Sequence, residues 1–325
     1  MVTYLYGAYG TGNLGDDLLL KSALQVHASE ECRVVAFGRP QLREDVPFLP
    51  NDEFVKDVAK LVTRDDRIIF AGGGLFWSDE HIRIMLSIAE RARSNGCEVR
   101  VERVGAQGIH LDLEASRRLL SLCSFISVRD ANSVDLLRRL NVTHRAFYVQ
   151  DFVLDLDYNA EQSRLSRPTI GINHSATPFF HNPSHREKAL QIYTDLAQEL
   201  SDLDFVYVPH TVHFSQADQN DESVGEAFHR NSDGRIQTLP FPAHAEDLID
   251  YYSGLTVAIG WRYHLNVLCK FVGIPSAIVC QDDEHKYRAF GIEHRLPIFN
   301  FDESTENLVR DIRGFIRCAL VKKGS

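Results

Sequence analysis

The chain has 325 residues, of which 44% are hydrophobic and 25% are charged. This composition is typical of a water-soluble globular protein, and the length suffices for two domains of ordinary size. The formal net charge of -10 argues against a nucleic-acid-binding protein, whose affinity depends on a basic surface. We therefore expect no nucleic-acid partner, although cations that converge locally could still bind an anionic substrate.

The N-terminal segment, MVTYLYGAYGTGNLGDD, lacks the basic start and the apolar stretch of a signal peptide. No apolar run approaches the roughly 20 residues of a membrane span. We therefore expect a cytoplasmic protein without a transmembrane segment, with peripheral membrane association left open. The six cysteines are scattered without a C-x-x-C pair, which favours reduced and mostly buried thiols.

Strands and helices alternate along the first half of the chain. Strands are predicted at Val2–Tyr6, Arg33–Phe37, Arg67–Ala71, Val99–Val104, Phe125–Val128 and Ala146–Val149. Helices are predicted near Asp16–Ala28, Val55–Val62, Glu80–Asn95, Leu113–Cys123 and Asn132–Leu140. This alternation is typical of a parallel sheet covered on both faces, so residues 1–157 are predicted to form a doubly wound, Rossmann-like α/β domain.

The polar segment DYNAEQSRLSRP, at 157–168, is predicted to link this half to a second one of the same plan. Strands are then predicted at Thr169–Ile172, Phe205–Val208, Ile236–Leu239, Thr256–Ile259 and Ser276–Val279. Helices are predicted at Arg186–Leu200, Ala245–Tyr252, Tyr263–Phe271, Glu284–Phe290 and Thr305–Leu320, with only a short helix in the polar region His210–Asp233.

Residues 168–325 are therefore predicted to form a second Rossmann-like domain. Its last helix could pack either on this domain or back on the first domain. Two such domains that face each other leave a cleft at the carboxyl ends of their strands. Open α/β sheets bind ligands at those ends.

Three glycine-rich loops follow strands of the first half, with the sequences GAYGTGNLGDD at 7–17, AGGGLFWSDE at 71–80 and VGAQGIH at 104–110. The first loop matches neither a dinucleotide fingerprint nor a Walker A loop. In the first loop Asn13 suits a left-handed turn and Asp16 suits a helix N-cap, so turn and cap chemistry is the plain alternative to ligand binding. Three such loops in one domain favour a bound ligand.

The stretch AIGWRYHLNVL, at Ala258–Leu268, predicts a buried strand, a tight turn at Gly260 and the start of a helix. Arg262 and His264 lie in the first turn of that helix, where free backbone N–H groups favour an anion. Arginine binds carboxylate or phosphate with paired hydrogen bonds, and histidine exchanges protons near neutral pH. From these residues alone, an ordinary turn decorated with Arg and His remains the alternative.

Other polar residues follow other predicted strands. Arg129 ends a strand in SVRDANS, where Asp130 is predicted to cap the next helix; an Arg129–Asp130 ion pair is the structural alternative to a binding role. His174 and His210 follow strands of the second half. Lys286 follows its last predicted strand, in DDEHKYRAFG, where a solvated helix face is the alternative.

His210, His213, Asp218 and Asp221 could be drawn as a metal site. An H-x-x-H pair on a loop, without a helix to align it, is weak evidence for one, so no metal is predicted. The sequence contains no G-x-S-x-G elbow, and no cysteine has the setting of a nucleophile. Covalent acyl chemistry is therefore not expected.

Several stretches together resemble the polysaccharide pyruvyl transferase family. They are GAYGTGNLGDD, GGGLF at 72–76, GAQGI at 105–109, SVRDANS at 127–133, GWRYHLNVL at 260–268, and GIPSAIV followed by Lys286. They occur in the family's order, and R-x-H and G-N-x-G-D are the more specific elements. Residues 109–111 and 150–152 depart locally from the family's pattern.

The resemblance implies two Rossmann-like domains, as in GT-B glycosyltransferases, and transfer of pyruvate from phosphoenolpyruvate to two hydroxyls of a surface-polysaccharide sugar. The product is a ketal and phosphate is released, so no cofactor is implied beside the co-substrate phosphoenolpyruvate. Arg262 and His264, which match R-x-H, are the expected catalytic and donor-binding residues, with His264 as the proton donor. The rest of the expected donor side is Arg129, Lys286, His174 and His210.

The resemblance also implies an acceptor glycan, either lipid-linked or nucleotide-linked, bound by the glycine-rich loops. The acceptor side is expected to include Gly12, Asn13, Asp16, Gly73, Gly74 and Gln107. The general base is open among Asp16, Asp130, His174 and His210. Two other functions fit the same pattern: a GT-B glycosyltransferase with a nucleotide-sugar donor, and a glycan-binding protein without catalytic activity.

Overall fold

A computed structural model describes residues 1–142, 146–159, 167–282 and 284–324. The chain divides into two compact units, Met1–Asp157 and Tyr158–Ser325. Most of the predicted linker at 157–168 lies outside the described residues.

The first unit contains a parallel sheet of seven strands in the order β3-β2-β1-β4-β5-β6-β7. The strands are β1 (Val2–Tyr6), β2 (Glu31–Ala36), β3 (Phe48–Pro50), β4 (Arg67–Ala71), β5 (Glu98–Val104), β6 (Phe125–Val128) and β7 (Ala146–Tyr148). The helices are α1 (Leu14–Val26), α2 (Asn51–Leu61), α3 (Asp79–Ser94), α4 (Leu113–Leu122) and α5 (Ala131–Arg139). Short 3-10 helices span Gln107–Asp112 and Phe152–Asp155.

The second unit contains a parallel sheet of six strands in the order β10-β9-β8-β11-β12-β13. The strands are β8 (Thr169–Asn173), β9 (Asp204–Tyr207), β10 (Ile236–Thr238), β11 (Val257–Gly260), β12 (Ser276–Cys280) and β13 (Ile298–Asn300). The helices are α6 (Ala176–His181), α7 (Pro183–Glu199), α8 (Asp221–Asn231), α9 (Glu246–Ser253), α10 (Tyr263–Val272), α11 (His285–His294) and α12 (Thr305–Gly324). A 3-10 turn spans Ala217–Gln219.

The predicted fold class is confirmed, since both units are doubly wound, Rossmann-like parallel sheets. Every predicted strand occurs. Central parallel strands are recognisable in a sequence because both of their faces are covered by apolar neighbours. In β12 all of Ser276–Cys280 is buried, and successive side chains point to opposite faces, so both faces of the strand are covered.

The pattern missed β3, β13 and α6, which have three, three and six residues and are too short to show a period. The prediction of only a short helix in His210–Asp233 is wrong. Helix α8 has 11 residues there, and it is anchored by buried Val224 and Phe228 although most of its sequence is polar.

The last helix, α12, packs against α7 and also contacts β13 and β11 of its own unit. That it returns to the first domain stays a prediction. Cys97, Cys123, Cys269 and Cys280 are buried, as expected. Across the described part of the chain, every helix is too short or too polar to serve as a membrane span.

Candidate functional site

The R-x-H element lies where the second sheet reverses its strand order. From β8 the chain winds outward to β9 and β10, whereas β11, β12 and β13 lie on the other side of β8. Such a topological switch point is where open α/β sheets bind ligands. Asn173 ends β8 and Gly260 ends β11, and Trp261 N–H donates to the Asn173 carbonyl at 3.1 Å.

Gly260 is required by this close approach of two strand ends. A Cβ atom on Gly260 would lie 2.6 Å from the Asn173 carbonyl oxygen and 3.2 Å from its nitrogen. Real Cβ atoms do not come that close to a backbone oxygen, so only glycine fits. The sequence G-W-R thereby brings Arg262 directly to the edge of the sheet, at the N-cap of α10.

Arg262 is held by a buried carboxylate. Its Nη2 donates to Asp221 Oδ1 at 2.6 Å, and Asp221 has no exposed surface. The other oxygen, Asp221 Oδ2, accepts from the backbone N–H groups of His210 at 3.0 Å and Thr211 at 3.1 Å. Burial by itself would lower the pKa of Arg262, but the Asp221 carboxylate outweighs it and raises the pKa, so the guanidinium stays charged.

The geometry leaves Arg262 able to bind an anion. Arginine has five N–H donors in a planar fork, and Asp221 takes one of them. Arg262 Nε is buried and has no hydrogen-bond partner among the described residues, while 18% of the side chain remains exposed. The first backbone N–H groups of α10 begin at the same point, and they favour negative charge.

Two histidines flank this arginine. His264 lies in the first turn of α10 and is 8% exposed. His210 Nε2 hydrogen-bonds the Tyr252 hydroxyl at 2.7 Å, and both residues are buried. Burial, and then the charges of Arg262 and His264, hold the pKa of His210 well below its usual range, so His210 is neutral at neutral pH. The structure therefore groups Arg262, His264 and His210.

A second cation lies in the first turn of α11. Lys286 Nζ is 4.7 Å from the centre of the Tyr287 ring, and the Tyr287 and Tyr263 rings are 6.5 Å apart. Tyr263 directly follows Arg262 in the chain, so these rings connect the two basic residues. Lys286 is half-buried rather than fully solvated.

His174 lies in the core beneath this region. It has no exposed surface, and its Nε2 is 3.1 Å from His185 Nε2. The rings of Trp261 and Phe301 pack against both histidines. Burial lowers the pKa of both histidines, so the pair is neutral. This setting argues against direct contact of His174 with a ligand and for a supporting role.

The four residues drawn as a metal site have separate partners. His210 bonds Tyr252, and Asp221 bonds Arg262. Asp218 Oδ2 is 2.7 Å from His181 Nε2, and His213 Nδ1 accepts from Ser215 N–H at 3.2 Å. Among the described residues, no three His, Cys, Asp or Glu side chains form a metal-binding group.

Arg129 belongs to the first unit, where it is also ion-paired. Its Nη1 donates to Asp151 Oδ2 at 2.8 Å, and both residues are buried. Asp130 is the N-cap of α5 and accepts from Ser133 N–H at 2.7 Å. Gln107 Nε2 donates to the same Asp130 at 2.8 Å, so this amide is turned toward the cap.

The first two glycine-rich loops follow β1 and β4, which are neighbours at the switch point of the first sheet. A Cβ atom on Gly73 would lie 3.1 Å from Asp16 Oδ1, so the loops touch each other. Gly74 is exposed and faces open space. The backbone therefore approaches another loop at Gly73 and is open to a ligand at Gly74.

The predicted turn and cap assignments in the first loop are wrong. Asn13 is the N-cap of α1 and accepts from Gly15 N–H at 3.2 Å. Its own φ is -97°, whereas Gly12 supplies the left-handed turn at φ +86°. Asp16 instead lies in the first turn of α1, where its Oδ2 accepts from Asn13 Nδ2 at 2.8 Å.

The sequence interpretation missed three polar residues near the R-x-H element. The sequence pattern presents Asp221 only as a possible metal ligand, and Tyr252 as the end of a predicted helix. Asn266 lies one turn after Arg262 on α10, is 1% exposed, and neither polar atom of its side chain has a partner among the described residues. An asparagine in an otherwise apolar run, LNVLC, was the available signal.

Comparison with known proteins gives one family. The model of the family "Polysaccharide pyruvyl transferase" matches residues 13–279. No curated protein matches the chain by sequence.

Solved structures share the fold at low sequence identity. MnaA of S. aureus, solved with UDP, is 11% identical with a TM-score of 0.66, covering 97% of this chain and 87% of that chain. The UDP-GlcNAc 2-epimerase of Neisseria meningitidis, bound to UDP-GlcNAc, is 10% identical with a TM-score of 0.61, covering 97% and 91%. The pneumococcal O-GlcNAc transferase GtfA, with UDP and GlcNAc, is 14% identical with a TM-score of 0.54, covering 85% and 54%. These likenesses confirm a GT-B-like fold.

Proposed function

Because the chain belongs to the polysaccharide pyruvyl transferase family, we propose that it moves the pyruvate unit of phosphoenolpyruvate onto two hydroxyls of a polysaccharide sugar or its precursor. The products are a pyruvate ketal and inorganic phosphate. The donor supplies the driving force, so the reaction needs no redox cofactor.

The observation that carries this proposal is the setting of Arg262. Phosphoenolpyruvate carries a carboxylate and a phosphate on three carbons, so its pocket needs a fixed cation. Arg262 is charged, oriented by Asp221 at 2.6 Å, and located at a helix N-terminus on a switch point. A preoriented guanidinium binds a planar carboxylate or a phosphate better than a mobile one, because less entropy is lost.

The chemistry needs one proton donor and stabilisation of the departing phosphate. Protonation of C3 of the enol makes C2 an electrophile, and the first sugar hydroxyl then attacks C2 and loses its proton. The second hydroxyl attacks the same carbon, also loses its proton, and displaces phosphate. We assign C3 protonation to His264, because histidine titrates near working pH. Arg262 stabilises the negative charge on the leaving phosphate.

The remaining assignments are part of the proposal. Lys286, which lies in the same unit as Arg262, binds the donor's second anion. His210 is buried and neutral, so it adds no positive charge beside Arg262. The loops through Gly74 and Asp16 contact the acceptor, and Asp16 is the candidate base because Asp130, His174 and His210 are buried. The acceptor is a lipid-linked or nucleotide-linked glycan precursor, which the enzyme modifies in the cytoplasm during the synthesis of an envelope polysaccharide.

The test mixes the purified protein, phosphoenolpyruvate and a panel of hexose and N-acetylhexosamine glycans, and follows inorganic phosphate. We expect acceptor-dependent release that is lost in Arg262→Ala and reduced in Arg262→Lys, which keeps the charge but not the planar fork. The matched control is Arg317→Ala, since Arg317 is an arginine of the same unit paired with exposed Asp202.

A parallel arm measures UDP and UDP-sugar binding, since solved structures of this fold contain UDP. Phosphate release that requires no acceptor, or release equal in Arg262→Ala and wild type, would overturn the proposal. If the protein turns over a UDP-sugar but not phosphoenolpyruvate, its function is that of a glycosyltransferase.

A further inference from the structure

An exposed tryptophan lies on the second glycine-rich loop. Trp77 is 46% exposed, although it follows the buried pair Leu75 and Phe76. Its ring stacks on His81, with centroids 3.6 Å apart and planes 19° apart. Phe37 meets the Trp77 ring edge-on at 6.0 Å. The His81 ring thus covers one face of the indole, and the exposed surface of Trp77 lies on the rest of the ring system.

The support beneath Trp77 is rigid. His81 is 4% exposed, lies in α3, and its ring also stacks on Tyr6, the last residue of β1. The Ser78 hydroxyl caps α3 by accepting from His81 N–H at 3.1 Å, which fixes the start of that helix. The stack, which we call the Trp77 platform, comprises Trp77, His81, Phe37 and Tyr6. It spans the carboxyl ends of the neighbouring strands β2, β1 and β4.

The lower part of the platform belongs to the core of the first unit, since Tyr6 is a member of its apolar cluster. Tyr6 Oη and His81 Nε2 are buried without a hydrogen-bond partner among the described residues. Buried polar atoms without a partner are destabilising, and native structures keep few of them. Burial also lowers the pKa of His81 to about 4, so its ring is neutral at neutral pH and adds no positive charge under the indole.

We propose that the exposed face of Trp77 binds a pyranose ring of the acceptor glycan. The C–H face of a pyranose is apolar and matches one indole in size, while the hydroxyls around its rim need polar partners. Exposed Gly74, which faces open space on the same loop, gives such a ring access to the backbone. This assignment rests on the proposed function, since it takes the glycan to be the acceptor.

The charges around the platform select against a nucleotide. Asp79 and Glu80 are exposed in the first turn of α3, immediately after Trp77 and Ser78. Asp16, from the first glycine-rich loop, lies beside Gly73 of the loop that carries Trp77. A nucleobase could stack on Trp77, but its phosphates would then meet carboxylates, whereas a neutral sugar would not. The single exposed indole is also too small for a protein interface of standard size.

The first test measures binding without catalysis. The chain has two tryptophans, and the other, Trp261, is 1% exposed. Acrylamide quenching of the fluorescence therefore reports mainly on Trp77. Oligosaccharides of glucose, galactose, mannose and N-acetylglucosamine are added without phosphoenolpyruvate. We expect at least one to reduce the quenching, and Trp77→Phe to remove the response. No protection by any of them, or protection by phosphatidylglycerol vesicles instead, would overturn the proposal.

The second test uses steady-state kinetics with the glycan that protects Trp77. Trp77→Ala is expected to raise KM for that glycan about tenfold, equivalent to about 1.4 kcal/mol, with KM for phosphoenolpyruvate unchanged. The control is Phe214→Ala, since Phe214 is 64% exposed and also stacks on a histidine, in the second unit. If the KM for the glycan is the same in Trp77→Ala and in the wild type, Trp77 does not bind the acceptor, although pyruvyl transfer can still occur. Protection of Trp77 without any phosphate release refutes the transfer while leaving the platform.

Discussion

Arg262 Nη2 lies 2.6 Å from Asp221 Oδ1, and Asp221 is itself held by the backbone N–H groups that follow strand β9. The cation at the β11 end is thus positioned by an anion at the start of α8, 41 residues earlier in the chain. Breaking one partner of a buried pair costs more than the pair contributes, because the other charge is left in a region of low polarity.

Asp221→Ala tests this relationship. We expect the free energy of unfolding to fall by about 3–5 kcal/mol, because Arg262 keeps its charge and loses its partner. We also expect KM for phosphoenolpyruvate to rise, since the guanidinium is no longer oriented. The measurements are urea denaturation and phosphate-release kinetics. Asp218→Ala is the control, because Asp218 pairs with exposed His181 and should change stability by less than about 1 kcal/mol. Equal effects of the two substitutions would contradict the role given to Asp221.

The sequence predicted the second sheet well but not the partner of Arg262. Apolar runs such as SAIVC identify central strands because both of their faces are buried. No local pattern connects Arg262 to Asp221, since the contact depends on how β9 and β11 are ordered in the sheet. Asp221 also stands in a polar stretch, where a buried carboxylate and an exposed one look the same.

Gly260→Ala tests whether the close approach of β8 and β11 positions Arg262. The new Cβ would lie 2.6 Å from the Asn173 carbonyl oxygen, so the strand ends must separate. We expect a loss of about 1–3 kcal/mol in stability, as for overpacking in a core, and reduced activity. Thermal denaturation and phosphate release measure the two effects.

Gly314→Ala is the matched control for that substitution. Gly314 lies within α12, and a Cβ there meets nothing within 4 Å. Alanine should therefore stabilise the protein by about 1 kcal/mol through helix propensity, with activity unchanged. Activity retained in Gly260→Ala would mean that Arg262 does not depend on this strand contact.

The neutral pair His174–His185 makes stability depend on pH. In the unfolded chain a histidine binds its proton near pH 6.5, whereas burial holds the pKa of both residues below that value in the fold. The unfolded state therefore binds more protons as the pH falls below about 7, and stability is lost in that direction. Each histidine contributes a slope of up to about 1.4 kcal/mol per pH unit.

His185→Gln should reduce this slope between pH 7 and pH 5, as measured by urea denaturation at each pH. Glutamine can still hydrogen-bond His174, so the fold is expected to persist. The control is His285→Gln, since His285 is exposed at the start of α11. A slope identical in His185→Gln and wild type would show that the pair titrates as in the unfolded chain.

The first unit shows the same limit of sequence reasoning at Arg129. The capping role of Asp130 was predictable from the order strand, Arg, Asp, helix, and it is confirmed by the 2.7 Å bond from Ser133 N–H. In that role the Asp130 carboxylate also accepts from the Ser133 hydroxyl at 2.9 Å. The partner, Asp151, is 22 residues later and follows β7, the neighbour of β6 in the sheet.

Asp151→Ala is therefore expected to destabilise the first unit by about 3–5 kcal/mol, because it removes the buried carboxylate that pairs with the Arg129 guanidinium. Asp135→Ala removes the partner of exposed Arg138 and should cost less than about 1 kcal/mol. The double substitution Arg129→Met with Asp151→Leu separates stability from function. Methionine and leucine can fill the space, so stability should recover relative to Asp151→Ala. If Arg129 also binds the donor, KM for phosphoenolpyruvate stays high in this variant; a KM that returns to the wild-type value with stability would make Arg129 a structural residue only.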